Sequence, residues 1–181
     1  MTVSGKYDSR QLRIRGVDMK RLRLISLMLI AIMGISGCNF GKPNVPEGVE
    51  VVPKPTYVIG SEVILKANHA PGMQGAKAKI VAAYDTTAYS VTYTPTTGEP
   101  PVKNYKWIIQ EEIKNHIKQP YDPGTEVILK ADHVKGMLDA TGKLDTVEST
   151  TVYMVDYTPT SGGGEVKNYK WVTENELSPV K

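Results

Sequence analysis

Two pairs of residues have the types and spacing to do chemistry: His69 with Met73, and His133 with Met137, each at His-x-x-x-Met. Imidazole beside a thioether is a soft donor set that suits Cu(I), an ion with modest demands on ligand number. A copper site ordinarily takes three ligands, so each pair needs a further donor. The competing reading is packing. Met is a common gap filler, so Met73 and Met137 plug a barrel end while the histidines hydrogen-bond a loop backbone. Packing is the preferred reading, with no cofactor expected and copper as the alternative. Convergence of the imidazole nitrogen and the Met sulfur separates the two.

The third reactive residue is Cys38, the only cysteine, so no disulfide can form within the chain. Lys20, Arg21 and Arg23 precede an apolar run from Leu24 to Ile35, which ends in Ile35-Ser36-Gly37-Cys38. A basic stretch, about a dozen apolar residues and small residues at a cleavage point make a secretory signal, the run being too short for a stable membrane span. The ending resembles a bacterial lipobox, in which the cysteine thiol takes a diacylglyceryl group and becomes the mature N-terminus. Residues 1–37 therefore read as a signal peptide and Cys38 as the lipidation site, placing the chain on the extracytoplasmic face of the cell membrane. Either translation starts at Met19 or the basic region is unusually long; the mature protein is the same.

Charge must be recounted on that basis. Residues 1–37 hold seven Lys or Arg and two Asp, so removing their net +5 from the chain's formal +3 leaves −2. The basicity belongs to the targeting signal, and a nucleic-acid partner, which needs cations gathered on the folded part, is excluded as an expectation.

These residues are carried by a duplicated framework. Gly60–Ile113 lies over Gly124–Leu177 without a gap at a constant offset of 64, most visibly in Glu62–Ala67 against Glu126–Ala131, Tyr93–Thr96 against Tyr157–Thr160 and Val102–Trp107 against Val166–Trp171. Two copies at this period favour tandem small domains over a solenoid. Within each copy, short Val/Ile-rich runs entered through Gly60 and Gly124 read as strands. Tyr89-x-Val91-x-Tyr93 and Tyr153-x-Val155-x-Tyr157 alternate with period two. Ala76–Tyr84 is a further strand, Pro95–Gly98 and Pro159–Gly162 are turns, and Glu111–Lys118 and Glu174–Leu177 are short helical or 3₁₀ closures. About five short strands per copy predict an all-β chain of two tandem SH3-like barrels. The expected domains are repeat 1 at 57–114, a linker at 115–121 and repeat 2 at 122–181. Residues 38–56, rich in Pro and Gly, read as an extended tether.

The aromatic set offers a binding surface. Trp107 and Trp171 are expected in the core. Tyr105 and Tyr169, each beside a lysine (Lys106, Lys170), are the surface candidates for a ligand groove. An enzyme is not expected. No Gly-x-Ser-x-Gly or His-Glu-x-x-His occurs, and neither a nucleophile with its base nor a metal with an open position is evident. Glu112 and Glu176 occupy equivalent positions, but a lone Glu near a domain end reads as a solvated charge, as does His116 in the linker.

Gly-x-Glu-Val-Ile-Leu-Lys-Ala-(Asn or Asp)-His-x-x-Gly-Met, then Thr-x-Tyr-x-Val-x-Tyr-Thr-Pro-Thr, then Val-Lys-Asn-Tyr-Lys-Trp, present twice, resembles the YdhK-like lipoproteins of Gram-positive bacteria. The resemblance covers nearly the whole mature chain. It implies an extracytoplasmic lipoprotein with a duplicated domain of unassigned activity, sometimes encoded among metal-resistance genes. Two positions depart from the family pattern: the residue after each His, often Met, is Ala70 or Val134, and the residue before Lys-Trp, often His, is Tyr105 or Tyr169. Both are places from which a third metal ligand would come. The preferred expectation is thus a lipid-anchored, non-enzymatic binding module for a wall polymer or an envelope protein, with metal handling as the alternative.

Overall fold

The computed structural model describes residues 44–181; the signal peptide, Met19 and Cys38 lie outside them. The described chain is all-β, with eight strands and two 3₁₀ turns. These are β1 (Glu50–Val51), β2 (Glu62–Leu65), β3 (Lys77–Thr94), β4 (Val102–Ile109), η1 (Gln110–Glu112), β5 (Glu126–Ile128), β6 (Thr141–Tyr157), β7 (Val166–Thr173), η2 (Glu174–Glu176) and β8 (Leu177–Pro179). All pair antiparallel in one open sheet.

Two strands dominate. The separate runs expected at Ala76–Tyr84 and around Tyr89–Tyr93 are one strand, β3, of 18 residues, and β6 has 17. They pair from Ala78↔Tyr157 to Thr94↔Thr141, with Thr86 opposite Thr150, its own counterpart in the duplication. A pseudo-twofold axis therefore passes through the middle of this ribbon and exchanges the repeats.

The axis explains why the expected pair of independent barrels is not what forms. One apolar cluster joins Val63, Leu65, Met73 and Ile80 of repeat 1 to Tyr153, Val155, Val172 and Leu177 of repeat 2. A second joins Tyr89, Val91, Ile108 and Ile113 of repeat 1 to Val127, Leu129, Met137 and Leu144 of repeat 2. Each lobe is built from the first half of one repeat and the second half of the other. The edges are exchanged too: β8 pairs with β2, and Ile113 bridges to Leu129. Residues 43–181 form a single compact unit, so the division into 57–114, 115–121 and 122–181 marks the duplication rather than domains. The reason is strand length. A strand of 18 residues at about 3.3 Å each spans roughly 60 Å, far beyond the core of one 55-residue barrel, so its two halves serve different cores.

Alternation along β6 puts Tyr153, Val155 and Tyr157 in one lobe core while Val152 and Met154 face a third cluster with Ala82, Tyr84, Ala88, Trp107, Ile109 and Trp171. Both faces of the Val152–Val155 stretch are thus buried.

The tether expectation for 38–56 needs a further correction across the described part. Val45 and Val49 pack on the central cluster, Val52 and Tyr57 on a lobe core, and Glu50–Val51 pair with Asp85 and Tyr84. The prolines forbid a helix and remove donors, but an extended chain with valines between them still makes an edge strand.

Candidate functional site

Each 3₁₀ turn delivers a glutamate into the structure. After Ile109, the chain tightens into η1 and the Glu112 carboxylate turns back to accept the Ile109 amide at 3.2 Å; after Thr173, Glu176 does the same at 3.0 Å. Both carboxylates are committed further. Glu176 accepts from Trp107 Nε1 at 2.8 Å and pairs with His69 Nε2 at 2.8 Å; Glu112 accepts from Trp171 Nε1 at 3.0 Å and pairs with His133 Nε2 at 2.7 Å. Every such triad crosses the duplication: the His and Trp come from one repeat, the Glu from the other. The side chains are enclosed, with His69 and His133 at 6% exposure, Glu176 at 18% and Glu112 at 2%. Burial pushes the Glu176 carboxyl up, yet the hydrogen bonds from His69, the Thr173 amide and Trp107 outweigh it and hold it below the ordinary carboxylate value.

The triads fix which histidine nitrogen is available. With Nε2 committed to a carboxylate, only Nδ1 remains. His133 Nδ1 meets the Tyr105 hydroxyl at 3.3 Å. His69 Nδ1 is buried and has no partner among the described residues, and the ring of Tyr169 stacks against its imidazole at 6.3 Å between centroids. The two triads are therefore not equivalent in their open valence.

Two clefts lie against the histidines. One, of about 520 Å³, is walled by Lys66, Asn68, His69, Lys103, Asn104 and Lys106, with Tyr105 and Glu176. The other, of about 290 Å³, is walled by Asp132, His133, Val134, Lys167, Asn168, Tyr169 and Lys170, with Tyr105 again. In both repeats the wall residue Asn104 or Asn168 takes a left-handed φ, +50° or +51°, which turns the start of β4 and β7 toward the histidine loop.

The sequence-derived candidates divide cleanly. Tyr105, Tyr169, Lys106 and Lys170 all line the clefts, half-buried, with Lys106 Nζ 4.8 Å from the Trp107 ring centroid and Lys170 Nζ 5.8 Å from that of Trp171. Trp107 and Trp171 are core, as expected, and His116 is exposed. Met73 and Met137 are fully buried in opposite lobe cores, where they serve as packing. The histidines hold glutamates rather than the loop backbone of the packing reading. Tyr105 and Tyr169 do approach the histidines, but burial pushes both phenols well above their ordinary pKa, so they stay neutral and are weak metal donors. Among the described residues no group of three or more His, Cys, Asp or Glu is placed to hold a metal.

The residues that sequence reasoning undervalued are Glu112 and Glu176. The signal was available: they are an acidic position shared by both repeats, where Asp85 against Ser149 is not. Their burial was not legible, because it depends on a tryptophan and a histidine donated by the opposite repeat.

A family model described as "Protein of unknown function (DUF1541)" matches the chain twice, over residues 59–110 and 123–174. The chain is 54% identical to the uncharacterized protein YdhK of Bacillus subtilis, over 97% of this chain and 98% of that protein. A crystal structure of this DUF1541 family protein from B. subtilis, 54% identical, superposes with a TM-score of 0.74 over 77% of this chain and 95% of that one. The solution structure of the YdhK C-terminal domain, 56% identical, gives 0.64 over 67% of this chain and 92% of that one.

Proposed function

The chain belongs to the DUF1541 family, and from that premise we propose that it is a lipid-anchored, non-enzymatic binding module on the extracytoplasmic face of the cell membrane, presenting its two clefts to a wall polymer or an envelope protein. The observation that carries this reading is the pair of open clefts, each walled by a Lys-Asn-Tyr-Lys strand start and a histidine loop. Tyr and Lys around a concave surface give stacking area and charge to an extended ligand. We read each lobe as a half-open, SH3-like barrel whose strands are exchanged between the repeats.

Two experiments test it. Cys38→Ala releases the protein from the membrane fraction or stalls its precursor; wild-type protein in the medium with an intact signal contradicts the anchor. Capture of wall fractions by the wild-type chain, lost in Tyr105→Ala/Tyr169→Ala with the fold intact, supports the clefts, and equal capture by the variant overturns their role.

One observation favours a second reading. A carboxylate gripping one imidazole nitrogen while leaving the other free is the usual outer-shell arrangement of a metal-binding histidine, and His69 has it. Copper handling would then use His69 and His133, with Met73 and Met137 released from the core by loop opening. Calorimetric titration with Cu(I) under reducing conditions decides: uptake of about two equivalents, lost in His69→Asn/His133→Asn, supports it, and no uptake removes it.

A further inference from the structure

The two clefts have kept their shape and lost their electrostatic equivalence. Around the His133 cleft stand three carboxylates: Asp132 in the wall, and Asp156 and Glu165, which bind Lys167 Nζ at 3.2 and 2.8 Å. At the equivalent positions around the His69 cleft, 64 residues earlier, stand Asn68, Thr92 and Pro101. Every one is neutral. Lys103 therefore lacks the acidic partners that its counterpart Lys167 has, and Lys66 and Lys106 are likewise without one among the described residues. Asp145 accepts the Thr92 hydroxyl at 2.9 Å, and neither it nor Glu99 is part of the cleft wall. Glu176, which does line it, is committed to His69, Trp107 and the Thr173 amide.

A second, independent observation falls at the same place. The His69 imidazole lines this cleft with its Nδ1 buried and unpartnered, whereas His133 Nδ1 is matched by Tyr105. Buried polar atoms are rarely left unpaired, so this side of the cleft has an unfilled hydrogen-bonding position beside the lysines among the described residues.

Resting on the binding-module reading above, we propose that the His69 cleft binds a phosphodiester group, one per chain, held by Lys66, Lys103 and Lys106 beside His69, and that the His133 cleft does not. A singly charged tetrahedral diester offers two acceptor oxygens to ammonium donors, and a repeating phosphodiester polymer or a phospholipid headgroup both present it.

The test uses the full chain in neutral detergent micelles and diglycerol phosphate as the probe, followed by calorimetry. The expected result is one equivalent, with affinity falling as salt rises. Asn68→Asp, an exposed position that restores the carboxylate of the other repeat, weakens binding by about tenfold, as does Lys103→Gln/Lys106→Gln. Asp132→Asn changes nothing at the His69 cleft. A soluble poly(glycerol phosphate) arm and an arm with phosphatidylglycerol in the micelles identify which source of the diester competes. Binding of two equivalents, no binding, or an Asn68→Asp variant indistinguishable from wild type overturns the proposal. If diglycerol phosphate fails while wall capture persists, only the ligand class falls; if both fail, the binding-module reading falls with it.

Discussion

Replacing Glu112 by Ala removes one acceptor from three enclosed donors: Trp171 Nε1, the Ile109 amide and His133 Nε2. Trp171 and Ile109 are fully buried, so water cannot easily replace the carboxylate. Each orphaned donor costs about 1–3 kcal/mol, so three of them cost at least about 3–5 kcal/mol in all. Against a total stability on the order of 5–15 kcal/mol, Glu112→Ala should unfold about 10–20 °C earlier. The equivalent Glu176→Ala should cost roughly half as much, because Glu176 is at 18% exposure where Glu112 is at 2% and water reaches its partners. Urea and thermal unfolding followed by tryptophan fluorescence measure both. Finding both variants within about 1 kcal/mol of wild type, or Glu176→Ala as the more damaging, would refute the reasoning that these carboxylates organise the two sites.

Two further outcomes are expected. The Glu176 carboxyl titrates below its ordinary value in the folded chain, so its contribution is present above the unfolded value near pH 4.5 and is lost as pH falls through the lower folded value; in Glu176→Gln, acid unfolding should lose that part of its pH dependence. Gly72 has φ +73°, and a Cβ there would lie 2.3 Å from Ser161 Oγ and 2.9 Å from the Ser161 amide nitrogen, whereas Gly75 at φ +77° faces open space. Gly72→Ala should therefore cost about 2 kcal/mol or more and Gly75→Ala about 1–2 kcal/mol, read as the difference between their urea midpoints.

The local code was readable and the long-range pairing was not. Period-two alternation at Tyr89–Tyr93 and Tyr153–Tyr157 identified strands, whose alternating residues the structure buries, and the turns at Pro95–Gly98 and Pro159–Gly162 follow from Pro and Gly chemistry. Met73 and Met137 were read correctly as packing. What escaped is which repeat each residue packs against. Repeats that share Glu-Val-Ile-Leu-Lys-Ala and Val-Lys-Asn-Tyr-Lys-Trp present interchangeable partners, so packing within a repeat and exchange between repeats satisfy the same pattern. The joining of Ala76–Tyr84 to Tyr89–Tyr93 decides it, and Asp85-Thr86-Thr87 between them carries no Gly or Pro to break the strand. The same ambiguity hid the sites, since Glu112 and Glu176 acquire their His and Trp partners only through the exchange.

The account therefore stands or falls on whether each lobe needs both repeats. Residues 44–118 and 119–181, produced separately and compared by amide NMR at low concentration, test this directly. The expected result is that neither fragment alone gives the dispersed spectrum of a folded monomer, and that mixing them restores the spectrum of the intact chain, including the hydrogen-bonded indole signals of Trp107 and Trp171. Either fragment folding alone as a monomer would contradict it.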